Sequence, residues 1–140
     1  MSQNGIFDTT INLLGKSLDL RAQKHNRISA NIANAETPGF TPTTLSFEQE
    51  LKDALREKRA GSSTTANPRH IPLRGMEMSL ELVRGTVADA PASSPGLDGN
   101  GVEIENEMGK MVENQIMYNA NVQLLTKKFQ ELTLAIKGGN

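Results

Sequence analysis

Ten positions between Ile104 and Ile136 do most to restrict what this chain can become. Alternating steps of four and three residues give Ile104, Met108, Met111, Gln115, Tyr118, Val122, Leu125, Phe129, Leu132 and Ile136, and only Gln115 and the amphipathic Tyr118 break the apolar series. That is the period of a helix with one continuous seam, the a/d pattern of a coiled coil. A helix from Glu103 to Lys137 would run about 50 Å at 1.5 Å per residue. It starts acidic, with Glu103, Glu105 and Glu107, and finishes basic, with Lys127, Lys128 and Lys137, the order that complements the helix dipole. Gly138-Gly139 then terminates it.

The opposite end of the chain carries the same period. Phe7, Ile11, Leu14, Leu18, Arg21, His25, Ile28, Ile32 and Ala35 form a second seam whose polar exceptions, Arg21 and His25, are central. Pro38 forces Thr37 out of the helical region, and Pro38-Gly39 suits the middle of a type II turn. If the two seams face each other antiparallel, Phe7 lies near Ile136, Leu14 near Phe129, Leu18 near Leu125 and Ile32 near Met111. His25 meets Tyr118, and Arg21 lies close to Val122 with Asn121 beside it. Leu13, Leu20, Val112, Leu124 and Leu134 are then left facing outward as a second stripe, available to neighbouring subunits.

Between the helices the signals are weaker. Ser46-x-x-Gln49 resembles a capping box ahead of a short helix over Phe47 to Lys58. Gly61 to Asn67 reads as a loop, and Met76, Met78, Leu80 and Leu82 alternate as in a short strand. Arg84-Gly85 turns that strand back through Thr86-Val87, and Ala88 to Gly101 is a Pro/Gly/Ser-rich linker. The expected fold is mainly α: two long terminal amphipathic helices paired as an antiparallel coiled coil, a short central helix, and a small, loosely ordered β/loop region. The segments are 1–36, 37–102 and 103–140, the first and last forming one inner unit.

Composition explains why such a chain needs company. Apolar residues are 36% and aromatics 4% of 140 residues, with no Trp, thin for one compact core. Part of the chain is therefore expected to bury itself against something else or to stay mobile. A formal charge of −1 provides no basic field for nucleic acid. The absence of Cys excludes thiolate and disulfide chemistry. The N-terminus has neither a basic n-region nor an unbroken apolar h-region, and no apolar run approaches a bilayer span, so neither a general secretory signal nor membrane insertion is expected. His25 and His70 lack ligand spacing with any Asp or Glu. Asp98 to Gly101 holds a lone G-x-G and reads as a turn rather than a phosphate loop. No serine or threonine sits in a nucleophile elbow. The chain is not expected to be an enzyme, or to hold a cofactor or a metal; the pattern points to self-association.

Ala30 to Phe40, ANIANAETPGF, resembles the N-terminal signature of the bacterial flagellar rod and hook axial proteins, A-N-x-A-N-x-x-T-P-G-[FY]. Every fixed position is present: Ala30, Asn31, Ala33, Asn34, Thr37, Pro38, Gly39 and Phe40. The segment from Leu18 to Phe40, the RHIP at Arg69 to Pro72 and the stretch from Leu97 onward look like those of a proximal rod subunit within that family. The resemblance implies a structural subunit of the drive shaft of the flagellar basal body. It would be exported by the flagellar type III apparatus, sit in the periplasmic space, and assemble through its terminal helices. Partners implied are other proximal rod subunits and further copies of itself, the MS-ring and its adaptor subunit, and the export gate. Phe7-x-x-x-Ile11 resembles the family's export-gate recognition motif. The competing readings are a sister rod subunit of the same family or, from another class, a soluble coiled-coil adaptor or export chaperone. Within the signature, the small alanines are expected to allow close helix approach. Asn31 and Asn34 are expected to bond across crowded contacts or to carbonyls freed at the helix end.

Overall fold

A computed structural model describes residues 9–60, 80–90 and 102–138. Its elements, in chain order, are helix α1 (Thr9–Ala33), strand β1 (Thr43–Ser46), helix α2 (Glu48–Ala60), strand β2 (Thr86–Asp89) and helix α3 (Ile104–Lys137). Phe7, the Gly61–Asn67 loop, Met76, Met78, most of the Ala88–Gly101 linker and the RHIP segment lie outside the described residues.

The two long helices pack against each other, antiparallel: Asn31, near the end of α1, meets Glu107 at the start of α3, and Ser17 meets Asn121 further along. Mainly helical architecture with a short central helix and a small sheet is therefore correct. The helix register is not the expected one. Ile32 was to lie beside Met111 and Leu14 beside Phe129; the observed pairs displace α3 by about five residues, some 7 Å at helical rise.

A small second layer sits against α1. β1 and β2 pair antiparallel, Thr43 opposite Asp89 and Ser46 opposite Thr86, and Ala90 extends the ladder by donating its N–H to Pro42 O at 2.8 Å. Leu45, Phe47, Ala54 and Val83 bury together, with Leu51 and Leu80 packed on them. Leu20 of α1 completes this core and is 1% exposed. It was expected to face outward. The heptad pattern assigns it there because that pattern knows only one partner for α1, whereas α1 has two and lies between them.

Three local readings change. Leu80 and Leu82 lie in a turn rather than a strand, and the strand Thr86–Asp89 pairs with Thr43–Ser46, which carried no strand expectation. Ala88 and Asp89 belong to β2, not to a linker. The capping box does not form: Ser46 is in β1, and Gln49 turns forward to bond Asp53 at 3.1 Å. Instead Glu48 reaches back, its Oε2 accepting the Phe47 N–H at 3.2 Å while Oε1 pairs with Lys24 at 3.0 Å. Burial raises the Glu48 pKa, but Lys24 and the neighbouring backbone N–H groups outweigh it, so the carboxyl sits below its ordinary 4.5. That carboxylate ties the start of α2 to α1.

At the far end α3 stops at Lys137, where the Gly138 N–H closes the last turn onto Leu134 O at 2.8 Å. Gly138 does so in the right-handed region, so the stop needs no left-handed residue.

Gly85 is where the small layer depends most on glycine. Its φ is +74°, and a Cβ there would lie 2.9 Å from Leu45 Cδ1 and 3.1 Å from Phe47 Cβ, inside the core. Its N–H also donates to Glu50 Oε2 at 3.1 Å, and the Thr86 hydroxyl to Glu50 Oε1 at 2.6 Å. Gly85→Ala should lower stability by about 1–3 kcal/mol through left-handed strain and overpacking. Urea denaturation checks this; an unchanged midpoint would show that the α2–sheet layer does not unfold with the helices.

Candidate assembly interface

The junction after α1 is built by amide side chains acting as backbone. Asn31 is 2% exposed. Its Nδ2 donates to Thr43 O at 2.9 Å and its Oδ1 accepts the Thr43 N–H at 3.0 Å, so the side chain pairs with one peptide unit of β1 as a neighbouring strand would. The same Nδ2 donates to Glu107 Oε2 at 2.9 Å. One residue therefore fixes α1, β1 and α3 together. Glu107 is itself buried and is paired with Lys110 one turn on.

Asn34 has a different task. Its Nδ2 donates to Ala30 O at 2.8 Å, a carbonyl that also takes the Asn34 backbone N–H at 3.1 Å, and its Oδ1 accepts the Thr37 hydroxyl at 3.3 Å. Phe40 N–H then donates to Thr37 O at 3.2 Å, closing the turn around Pro38 and Gly39, and Gly39 has φ +74°. That is the type II geometry expected of Pro-Gly. Ala30 and Ala33 are exposed, as are Thr37, Pro38 and Gly39, and Phe40 is half-buried. The two alanines therefore do not mediate helix approach within this chain.

Between the long helices the interface is polar at its centre. Asn114 Nδ2 donates to Arg21 O at 2.9 Å, Arg21 Nη1 to Asn114 Oδ1 at 3.4 Å, and Asn121 Nδ2 to Ser17 Oγ at 2.8 Å. Glu107, Asn114 and Asn121 recur every seven residues on α3, and half-buried Lys128 continues the series. Of the apolar seam residues on α3, Met111, Tyr118, Leu125 and Leu132 are half-buried, whereas Ile104, Met108, Val122, Phe129 and Ile136 are exposed. The expectation that these five face α1 is corrected. The buried stripe is rotated from the apolar stripe by about half of one residue's 100° turn. On α1, Ile11, Leu14 and Ile28 are buried, Leu18 and Ile32 half-buried, and Ser17 and Asn31 join the buried set.

The rotation has an identifiable cause. On α3, Asn31 and Arg21 find their partners at Glu107 and Asn114 of the 107-114-121 series, and a buried amide or guanidinium without a partner costs more than an exposed methyl group. The missed signal was present: polar residues at 107, 114, 121 and 128 stand one position before 108, 115, 122 and 129. A search for apolar periods alone passes over it.

The result is a helix whose intrachain face is half polar and whose exposed surface carries many large apolar residues among polar ones. Besides the five displaced seam residues, Val112, Ile116, Met117, Leu124 and Leu134 are exposed, Leu134 at 70% and Ile136 at 71%. Isolated surface apolars are ordinary, but ten along one helix of 34 residues mark an interaction surface. Among the described residues no cluster of His, Cys, Asp or Glu could hold a metal ion, and no helix is long and apolar enough to cross a membrane.

A surface of this kind suits a structural protein that assembles with others, and residues 16–41, which span most of α1 and the turn, match the family described as flagella basal body rod protein. Beyond that segment, similarity runs nearly end to end. The flagellar basal body rod protein FlgB of Salmonella typhimurium is 30% identical over 138 residues, covering 96% of this chain and 97% of that protein. FlgB of Escherichia coli K12 is 28% identical over 138 residues, with the same coverage, and FlgB of Borrelia hermsii is 29% identical over 133 residues, covering 94% and 98%. The chain belongs to the FlgB family of flagellar basal body rod proteins. Its relatives are named for a place in the rod, not for a reaction.

Asn31 is the residue on which the junction turns. Asn31→Ala leaves both polar groups of Thr43 and the Glu107 carboxylate short of partners and should cost about 2–3 kcal/mol. Asn31→Asp should cost at least as much, because it adds a carboxylate against Glu107 and loses both donations. Asn34→Ala, at a half-buried site, should cost about 1 kcal/mol. Urea midpoints of the three variants give the order; equal values would deny Asn31 its bridging role.

Proposed function

We propose that this chain is a structural subunit of the proximal rod, the drive shaft of the flagellar basal body, and that it is built in through its terminal helices. The observation that carries the reading is the exposed apolar face of α3 in a chain similar to rod proteins over nearly its whole length. A helix that leaves ten large apolar residues exposed gains free energy when neighbours cover them. Ala30 and Ala33, exposed here, give such neighbours a smooth surface for close approach, and the Thr37–Phe40 turn ends the inner helix and sends the chain outward. On this reading segments 1–36 and 103–140 form the inner layer and 37–102 the outer part. The neighbours are other proximal rod subunits, further copies of this chain, and the MS-ring with its adaptor subunit, in the periplasmic space.

Delivery would be by the flagellar type III apparatus, with the export gate reading Phe7 and Ile11. Ile11 is 7% exposed in the fold, so a gate can read it only before α1 packs. Export of an unfolded chain and later burial of the same residue are thus compatible uses.

Deleting the gene should abolish rods and filaments in electron micrographs of basal bodies, with motility restored by the wild-type chain; complete rods without it would refute the assignment. Separately, Phe7→Ala and Ile11→Ala should each reduce the secreted fraction several-fold at normal cellular levels. Normal secretion of both variants would remove the export role while leaving the rod role intact.

A further inference from the structure

The polar centre of the α1–α3 interface is unfinished. A cleft of about 180 Å³ opens there, lined chiefly by Arg21, His25, Asn26, Asn114, Gln115 and Tyr118. Arg21 is 9% exposed, yet among the described residues it has no carboxylate partner. Its contacts are the 3.4 Å bond to Asn114 and the Phe47 ring, whose centroid lies 5.5 Å from the guanidinium carbon. Its Nε is buried with no acceptor among the described residues. A guanidinium has five N–H donors in a fixed fork, and burial of that charge is costly unless an anion completes it. Lys24, which shares the same ring at 5.6 Å, is by contrast neutralised by Glu48.

We propose that this cleft is a socket for an acidic side chain from a second copy of the chain. The ligand chemistry follows from the lining: a buried guanidinium, side-chain amides and a phenol together suit a carboxylate, the planar partner an arginine fork matches best. The same chain carries the complementary half. Glu105 and Glu113 are exposed on α3, take part in no ion pair among the described residues, and stand among the exposed apolar residues Ile104, Met108, Val112 and Ile116. Socket and acidic ridge are different patches of α3: Glu105 lies nine residues before Asn114, about 14 Å at helical rise, and Glu113, next to Asn114 in the chain, is exposed where Asn114 is buried. A contact between different patches is heterologous, so each added copy offers a fresh socket to the next until the rotation closes a ring or the chain grows as a helix. This deepens the rod assignment and rests on it only for the direction of growth.

Sedimentation of the purified full-length chain tests the contact, with circular dichroism melts as the control for folding. Wild-type chain should self-associate, more weakly as salt rises. Arg21→Gln, which keeps an amide against Asn114, should weaken association about tenfold with its melt little changed. Arg21→Glu should abolish it, and mixing that variant with Glu105→Arg or Glu113→Arg should restore it. Wild-type-like association of Arg21→Gln, or no restoration by either partner variant, overturns the socket. If Arg21→Glu proves unfolded, Arg21→Gln and the salt dependence still decide. Wild-type chain that remains monomeric at every concentration while restoring motility to a deletion strain overturns the contact and leaves the rod role standing.

Discussion

The pairing of the Asn31 side chain with the Thr43 peptide is the constraint to which the other contacts conform. An amide side chain can imitate one backbone unit, offering a donor and an acceptor at peptide spacing. Asn31 uses both on Thr43 and shares its donor with Glu107. This fixes where β1 starts relative to α1, hence where Leu45 and Phe47 enter the core beside Leu20. It also fixes the rotation of α3, because Glu107 must face α1. Once Glu107 faces inward, heptad spacing brings Asn114 and Asn121 to the same side. The apolar series one position later is carried toward solvent.

That chain of consequences separates what could be read in the sequence from what could not. Both long helices, the ends of α3 and the Pro38-Gly39 turn were legible, because each is set by local rules: period, dipole order, and the fixed φ of proline before a glycine free to adopt φ +74°. The signature around Asn31 and Asn34 was legible as a resemblance; Asn34 does bond a carbonyl at the helix end, but one that its own backbone N–H already occupies. The rotation of the seams was not, because it is decided between elements. Apolar periodicity says that Met108, Val122 and Phe129 will be covered by something. It does not say whether the cover belongs to the same chain.

The small layer failed to show itself for a related reason. β1 and β2 are four residues each and lie some forty residues apart, too short and too distant for alternation or turn chemistry to announce their pairing. What holds them is long-range: Asn31 on Thr43, Glu50 on Gly85 and Thr86, and Leu20 from the opposite side. Leu20 is instructive. Its heptad position assigns it to the outside of a two-helix pair, and the assignment would be correct if α1 had only α3 to pack against.

A polar contact within the chain and an apolar surface outside it divide the work of stability and assembly. Buried amide and carboxylate pairs add little net free energy compared with apolar packing, but a misplaced partner is penalised heavily, so they select one register over its neighbours. Apolar contact is less discriminating and increases with the area removed from water. Placing the selective interactions inside fixes the shape of each subunit before it meets another. Leaving the apolar face of α3 open reserves its largest gain for the moment when neighbours cover it. The reverse arrangement, with Met108, Val122 and Phe129 packed on α1, would give a more stable monomer with less reason to join anything.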